Sequence, residues 1–480
     1  MDVTAEHQDQ ELVFPASSGQ RRLWLLNRLG HDGTAYTIPF VARVAGPLLV
    51  PALEAALAAL VDRHEVLRTT FFVEGDEVYQ RVSPAGPVRI DMVDTSGADS
   101  PLAAAREVAA KLLARPFDLE SGPLLRVGLV AMGPEEHLLI LALHHCAADG
   151  WSMGVLKRDL GELYTAEVEQ RAAALPELTV QYGDYAEWER QMLRSARMEE
   201  GLAHWRRVLE GAPPLLELST DRPRPAEQSA RGARRRLEFP GPTLARLKAL
   251  GQEHDATLFM TLLAGFAAVL ARHTDQDTIM VGTPVAGRNR VELEDLIGFF
   301  TNTLALRTDL GDDPTFSELL RQVRDATLEA WAHQDVPFEK LVAELNPTRS
   351  LSHAPIFQTL FALNHAGGSP MLLAGVDLEV LELDRGTAKF DLSLVVLERD
   401  DGLTLSCEYA TDLFDADTID GILSRYRVLL EAVTADPRCR VSELPLMTED
   451  ERGQALALAR TATAEAPVDC LHHLFARQVE

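Results

Sequence analysis

A run of apolar residues at positions 138–143 ends directly at two histidines, His144 and His145, and this junction constrains the fold most strongly. A short, unbroken apolar run predicts a strand that is buried on both faces of a sheet. Residues 153–168 then carry leucines at helical spacing and predict a helix. The sequence therefore predicts a strand–loop–helix junction, in which Gly150 supplies backbone freedom and titratable side chains stand at the end of a core strand.

The chemistry of this junction has several interpretations when the stretch is taken alone. His144 and His145 could be hydrogen-bonded core histidines, with Asp149 as the cap of the following helix. A metal site would need further ligands, and the sequence has no nearby cluster of cysteine, histidine or carboxylate residues to complete one. Cys146 could be a nucleophile, but a buried cysteine is usually inert. The stretch alone does not decide between a structural and a chemical role.

Composition limits the class of protein and its partners. A chain of 480 residues has room for two to three domains, and its 46% hydrophobic and 25% charged residues are typical of a soluble globular protein. The formal net charge of −27 argues against nucleic acid and anionic membrane as partners, because their phosphate groups would repel the surface. Four widely spaced cysteines indicate neither a disulfide framework nor a zinc site.

The sequence also carries information on the compartment. Its N-terminal segment is acidic and polar, unlike a signal peptide. The longest uncharged apolar run, residues 256–271, is too short to span a bilayer and predicts a buried helix instead. We therefore predict a cytoplasmic protein without a metal ion.

The order of the elements predicts two α/β lobes. A polar tail at residues 1–11 precedes a first lobe at 12–175, in which strands and helices alternate around one sheet and a hairpin turns at Gly133. A second lobe at 176–447 repeats this style without an obvious sequence repeat. Residues 448–480 are predicted to be a linker followed by the start of a further domain, so the chain looks like a fragment of a longer polypeptide.

Three segments of the second lobe carry specific predictions. Residues 182–209 are predicted to form a long helical region. Residues 297–307 are predicted to form a strand, and so are residues 376–383.

Seven short motifs occur in a fixed order along the chain. They lie at residues 17–24, 63–69, 144–152, 182–188, 297–304, 333–340 and 349–358. Together they resemble the signature motifs of the condensation domains of nonribosomal peptide synthetases, although the seventh motif matches loosely. The resemblance covers residues 12–447, and residues 471–479 resemble the start of an adenylation domain.

The resemblance implies a fold and an activity. The expected fold is α/β, with two chloramphenicol-acetyltransferase-like lobes that form a V-shaped pseudo-dimer around a tunnel. Donor and acceptor peptidyl carrier proteins would deliver thioesters from opposite ends on phosphopantetheine arms, and the acceptor amine would attack the donor thioester to form an amide. The domain itself would bind no cofactor, and an adjacent adenylation domain would be a further partner.

The resemblance also assigns roles to residues. His145 matches the catalytic position, where it would hydrogen-bond the attacking amine, as a base or only as a positioning group. His144, one step along the strand, should point the opposite way and be structural. Arg288 matches the partner of Asp149, and a buried pair would hold the loop and the two lobes together.

The remaining motif residues have less definite roles. Gly150 would leave its N–H group and an empty side-chain space to the substrates. Trp151 is expected to pack rather than to touch substrate, and Ser152 completes the motif. Asn302 could orient substrate or could be structural.

Related families are the alternatives. Epimerisation domains share the histidine pair and the Asp-Gly step, but valine usually follows their glycine, so Trp151 and Ser152 favour condensation. Recruitment domains, which dock tailoring enzymes, have a degraded motif, whereas this motif is intact. Residues 20–24 resemble those of domains that take an L-configured donor.

Overall fold

The computed structural model describes residues 11–28, 36–345, 350–365, 371–382 and 386–461, together with Phe475 and Val479. Almost all of the predicted N-terminal tail and of the adenylation-like segment lies outside these residues, so both predictions remain untested.

Strands and helices alternate along the described chain. The strands are β1 Leu12–Pro15, β2 Thr37–Ala45, β3 Thr69–Glu74, β4 Glu77–Val82, β5 Ile90–Asp94, β6 Leu125–Gly133, β7 Glu136–His144, β8 Gly232–Pro240, β9 Thr278–Val285, β10 Asn302–Asp309, β11 Thr359–His365, β12 Asp377–Val380, β13 Leu392–Arg399 and β14 Gly402–Ala410. The helices are α1 Ser18–Arg28, α2 Val50–Arg63, α3 Pro101–Leu113, α4 Gly150–Glu169, α5 Tyr182–Met192, α6 Ala196–Leu209, α7 Gly241–Glu253, α8 Leu258–Thr274, α9 Phe316–Ala332, α10 Phe338–Leu345, α11 Ala416–Ala435 and α12 Glu449–Thr461. Short 3-10 turns lie at Glu65–Arg68, Val291–Leu293 and Val441–Glu443.

Two large sheets carry the two halves of the fold. The first has the strand order β12-β2-β7-β6-β5, and the second has the order β10-β9-β11-β13-β14-β8. A smaller sheet with the order β1-β4-β3 lies beside them. Each large sheet packs its helices over its own apolar core.

Strand β7 is central in the first sheet, as the apolar run predicts. It pairs antiparallel with β2, where Thr37 faces His144, and with β6, where Leu125 faces Leu143. Every residue from Leu138 to Leu143 is fully buried. The predicted hairpin is confirmed, because β6 and β7 are joined directly through a turn.

The prediction of one strand over residues 297–307 is wrong for its first part. Strand β10 begins at Asn302, and the preceding residues form a loop. The N–H groups of this loop bond to first-lobe side chains instead of a neighbouring strand. Gly298 donates to Ser152 Oγ at 3.1 Å and Phe300 donates to Asp149 Oδ2 at 3.0 Å.

The structure adds detail to two further predictions. The helical region over 182–209 is two helices, α5 and α6, because Ser195 stops the run and caps α6 by accepting a hydrogen bond from the Met198 N–H. The predicted linker begins with helix α12, whose start is closed by a reciprocal pair. Thr448 N donates to Glu451 Oε2 at 2.8 Å, and Glu451 N donates to Thr448 Oγ1 at 3.2 Å.

Segments from the second half of the chain enter the first lobe. Strand β12, which the sequence places in the second lobe, pairs antiparallel with β2 in the first sheet. Tyr182, Ile297 and Phe300 pack in the first core. These segments follow the predicted lobe boundary at 175/176 in the sequence but belong to the first lobe in the structure. Their apolar side chains pack against residues of that lobe.

The lengths and hydropathies of the described helices can be compared with those of membrane-spanning helices. Among them, no single helix is long and apolar enough to cross a membrane. Helices α7 and α8 reach the required length and composition only as a pair, and they meet at an angle of 99°.

Candidate active site

His145 leaves the central strand β7 and is partly buried. Its backbone N–H donates to the Tyr36 carbonyl at 2.8 Å, and its ring Nδ1 lies 3.1 Å from the Ala148 carbonyl oxygen. Because a carbonyl oxygen only accepts, Nδ1 carries a hydrogen, and the lone pair of the neutral ring is then on Nε2. The Phe299 ring stands edge-on to this imidazole, with the two ring centres 5.5 Å apart.

His144 is a different kind of group from its neighbour. It is buried, and its Nδ1 lies 3.1 Å from the Cys146 N–H, from which it accepts, and 2.8 Å from Cys146 Sγ. Burial, together with the positive charges of Lys389 and Arg126, lowers the pKa of His144 to about 4. This imidazole is therefore neutral near pH 7 and packs edge-on against Phe117.

Cys146 has no chemical use in this position. Its side chain is fully buried, and burial raises the pKa of its thiol well above the usual range. A thiolate, the reactive form of cysteine, is therefore disfavoured.

Asp149 is fully buried and joins three segments of the chain. Its Oδ1 caps helix α4 by accepting from the Ser152 N–H at 2.8 Å, and it also accepts from Ser152 Oγ at 2.7 Å. Its Oδ2 accepts from the Phe300 N–H at 3.0 Å. Arg288 Nη2 completes the set at 3.2 Å from Oδ1. All of these donors belong to the protein itself, so the carboxylate is engaged in holding the three segments together.

Arg288 follows strand β9 and connects the loop of residues 291–300 to the first lobe. Its Nη1 donates to the carbonyl oxygens of Leu293 and Leu296, the latter at 2.9 Å. Its Nη2 also donates to Ser152 Oγ at 2.8 Å, and its guanidinium lies 4.1 Å from the centre of the Phe300 ring. The Asp149–Arg288 ion pair that the resemblance implies is thus present and buried.

Ser152 and Gly298 bring the two halves of the chain into close contact. Ser152 Oγ lies 2.8 Å from the Gly298 carbonyl oxygen and 3.1 Å from its nitrogen. A Cβ atom on Gly298 would lie 2.2 Å from the Tyr182 ring, so only glycine fits there. The Tyr182 hydroxyl in turn donates to the Phe299 carbonyl at 2.7 Å.

Gly150 and Trp151 begin helix α4. Gly150 is exposed, and a Cβ atom there would meet nothing within 4 Å. The prediction that it supplies backbone freedom is wrong, because its φ is not in the left-handed region and the residue is ordinary helix. Trp151 is half-exposed, and its Nε1 donates to the Glu294 carbonyl at 2.9 Å.

Every polar atom of the Asn302 side chain is engaged within the protein. Its Nδ2 donates to the carbonyl oxygens of Gln334 and Val336 at 2.8 and 2.7 Å. Its Oδ1 accepts from the N–H groups of Thr303 and Phe338. These contacts fix the turn between α9 and α10, which favours the structural alternative for Asn302.

A cavity of about 400 Å³, here called the interlobe cavity, lies beside the site. Phe299 lines it and also packs against His145, so one aromatic ring contacts both this imidazole and the cavity. Sequence reasoning did not assign Phe299, although it lies inside a motif. It also missed Glu189, a buried cavity residue that directly follows the motif at 182–188.

Comparisons with known proteins bear first on the fold. A solved X-domain from teicoplanin biosynthesis superposes with a TM-score of 0.82 at 33% identity, over 90% of this chain and 97% of that one. The same kind of domain in complex with OxyB gives a TM-score of 0.83 at 33% identity, over 91% and 96% of the two chains. A four-domain nonribosomal peptide synthetase superposes at 0.84 and 23% identity, over 94% of this chain and 35% of that one. The predicted α/β fold of two acetyltransferase-like lobes is confirmed.

The family follows from the sequence comparisons. The condensation-domain family model matches residues 10–456, so the chain belongs to the condensation-domain family. One of the linear gramicidin synthase proteins of Brevibacillus parabrevis is 45% identical over 469 residues, which is 96% of this chain. This chain spans 6% of the length of that synthase protein. It is thus a condensation domain of the kind found in nonribosomal peptide synthetases.

The buried ion pair predicts a strong effect on stability. We expect Asp149→Ala to lower the free energy of unfolding by about 3–5 kcal/mol, because it leaves Arg288 buried without its counter-ion. The double variant Asp149→Ala/Arg288→Met should lose less free energy of unfolding than the two single variants lose in sum, because the two side chains interact. Chemical denaturation measures all three variants, and additive effects would contradict the coupling. Arg235→Met breaks an exposed pair with Asp420 and should change stability little.

His144 predicts a pH dependence of stability. Its pKa is about 4 in the folded protein and about 6.5 in an unfolded chain, so the unfolded chain binds the extra proton between these values. Stability should therefore fall as the pH falls from 6.5 to 4, by about 3 kcal/mol from this group. His144→Phe should remove that part of the slope in denaturation curves recorded across this range. An unchanged slope would contradict it, and His365→Phe, at an exposed histidine, is the control.

Proposed function

We propose that this condensation domain forms amide bonds, with a carrier-bound acceptor amine attacking the thioester of a carrier-bound donor. The observation that carries the proposal is the geometry of His145. Its Nδ1 bonds to the Ala148 carbonyl, which leaves the Nε2 lone pair as the acceptor of the neutral ring. Such a group suits an amine nucleophile, because it accepts a hydrogen bond without adding charge.

The reaction needs alignment more than activation. An α-amino group has a pKa near 8, so roughly a tenth is already neutral near pH 7. His145 Nε2 would accept a hydrogen bond from this amine and hold it at the donor carbonyl. The C–N bond forms, the C–S bond breaks, and a proton from the amine ends on the departing thiolate; His145 carries this proton if it acts as a base. His145 is then the catalytic residue, either as a base or as a positioning group for the amine.

The other motif residues would act through this histidine. Asp149, Ser152 and Arg288 bond to one another and to the loop of residues 291–300, so they would keep the loop of His145 in place. Gly150 would leave room for substrate at the start of α4, since nothing lies within 4 Å of its missing Cβ. His144, Trp151 and Asn302 would be structural.

The proposal extends to partners. Peptidyl carrier proteins for donor and acceptor would bring both thioesters on phosphopantetheine arms, and an adenylation domain would be adjacent. The donor would be L-configured and the protein cytoplasmic. The family membership and the similarity to a linear gramicidin synthase support the carrier proteins and the adenylation domain as partners, whereas the L-configured donor rests on the resemblance at residues 20–24.

A docking module is the second candidate function. The similarity to an X-domain solved with OxyB favours it, because that domain binds another protein. The intact histidine motif and the ordered contacts of Asp149 favour the enzyme instead. An epimerisation domain, the other relative with this motif, would invert the donor without forming an amide. Two loaded carrier proteins distinguish the three: amide product, binding without product, or an inverted donor.

The central test is His145→Ala. We expect amide formation between two loaded carriers to fall about 10²–10⁴-fold, as for the loss of an acid–base group. Intact-protein mass spectrometry of the carriers measures the transfer. His254→Ala, at the end of α7, is a matched control and should remain active. Near-normal turnover of His145→Ala with carrier-bound substrates would exclude an essential role for this imidazole.

Gly150→Leu tests the space beside the histidine. The site has room for the new side chain, so the protein should fold normally, while the leucine occupies the path of the substrates. We expect a loss of amide formation with an unchanged melting temperature. Gly154→Leu, one turn further along α4, also meets nothing within 4 Å of its Cβ and should remain active. Equal activity of the two variants would contradict a substrate path at Gly150.

A further inference from the structure

The interlobe cavity has aromatic walls. Five aromatic side chains line it: Tyr185, Trp188, Phe299, Phe300 and Trp331. Its volume of about 400 Å³ is enough for one amino-acid side chain. Because Phe299 also touches His145, a substrate that reacts at this imidazole could place its side chain in the cavity.

Three carboxyl groups line the same cavity, and two of them have cationic partners. Asp335 accepts from Arg197 at 2.7 Å, and Glu339 accepts from Arg22 at 2.8 Å. Glu189 has no ion pair within 4 Å to any residue that the structure describes. Its carboxylate accepts a hydrogen bond from the Ser18 N–H, at 2.7 Å from Oε2.

Glu189 is held where a negative charge is costly. Its residue is 7% exposed, and burial raises the pKa of its carboxyl to about 7. The hydrogen bond from the Ser18 N–H and the positive charge of Arg21 lower the pKa of Glu189. The negative charge of Glu339 raises it further. The neighbouring Tyr182 and Tyr185 are neutral, because burial raises their pKa values further. A cation in the cavity would offset the cost of this charge.

The rim of the cavity differs from its interior. Arg290 is exposed, and its guanidinium lies 4.7 Å from the centre of the Trp188 ring. The aromatic wall therefore already accepts a cation on one face. Glu189, which lines the same cavity and is buried, offers a carboxylate to a second cation.

We propose that the interlobe cavity binds the cationic side chain of the acceptor amino acid, an amine or a guanidinium, with Glu189 as the specificity-determining residue. This inference rests on the proposed function, since it names the acceptor of that reaction. The aromatic walls hold the alkyl part of the side chain, and Glu189 pairs with its charged end. An acceptor with an isosteric neutral side chain lacks that pairing.

Binding of non-hydrolysable acceptor analogues tests the inference directly. The probes are lysyl-pantetheine amide and norleucyl-pantetheine amide, titrated into the whole chain by calorimetry. We expect the lysyl probe to bind about 10- to 100-fold more tightly, the range of a hydrogen bond to a charged group. Glu189→Gln should remove this preference while norleucyl binding stays the same. Glutamine can still accept from the Ser18 N–H, so the start of α1 is preserved.

Glu187→Gln is the matched control, because Glu187 lies on the same helix and bonds to Arg190 and Gln191. It should keep the preference for the lysyl probe. Equal affinities in the wild-type protein, a preference for norleucyl, or no binding of either probe would overturn the inference. A Glu189→Gln variant that weakens both probes equally would also overturn it, because Glu189 would then act on the shared α-amine.

The pH dependence gives a second readout. The ratio of lysyl to norleucyl affinity should rise as the pH increases through 7, where Glu189 ionises, and should be flat in Glu189→Gln. The ratio cancels the titration of the α-amine, which both probes share. A flat ratio in the wild-type protein would overturn the inference. Selective binding without amide formation in the two-carrier assay would instead contradict the proposed function, so the two failures are distinguishable.

Discussion

The buried carboxylate of Asp149 is the constraint on which the site depends. A charge without water is tolerated only where enough donors surround it, and here those donors come from distant parts of the chain. Ser152 belongs to the same helix, whereas Arg288 and the Phe300 N–H come from the second half of the sequence. Because one carboxylate needs all of them, the helix α4, the end of β9 and the loop before β10 have to adopt their positions together.

This constraint reaches His145 through a short loop that is fixed at both ends. At one end, His144 pairs with Thr37 in the sheet; at the other, Asp149 caps α4. Between them, the His145 N–H bonds to Tyr36 and its Nδ1 bonds to Ala148. The imidazole is thus oriented, and its tautomer set, before any substrate arrives. Such preorganisation suits a reaction whose main demand is alignment of an amine with a carbonyl.

The sequence predicts what depends on local pattern, and fails where distant partners decide. The apolar run at 138–143 is short and unbroken and is followed by polar residues, so β7 is predicted from local pattern, as is its hairpin with β6 at Gly133. The loop at 297–301 has the same apolar character but is not a strand, because its N–H groups bond to Ser152 and Asp149, about 150 positions away. Strand β12 shows the same limit, since an apolar pattern does not tell which sheet receives it.

Within the candidate site, some residues could be predicted from the sequence and others could not. The Asp149–Arg288 pair is expected from the family resemblance, but Glu189 is not, since a glutamate beside a motif usually lies in water. What makes Glu189 unusual is that it is buried and lines a cavity together with residues from three other segments, which include Gly19, Phe299 and Trp331. The role of Gly150 could not be read from its identity either. Glycine suggests a turn, whereas the structure shows helix with open space beside it.

The two adjacent histidines have different environments, and these give the two imidazoles different chemical properties. They have the same side chain, one residue apart, yet the last residue of β7 points into the core and the next leaves the sheet. Burial and nearby positive charge remove His144 from proton chemistry near neutral pH, and it is occupied by Cys146 and Phe117. His145 is only partly buried and takes its orientation from a carbonyl. Because β7 ends between them, His144 is a packing residue of the core and His145 is the candidate catalytic residue.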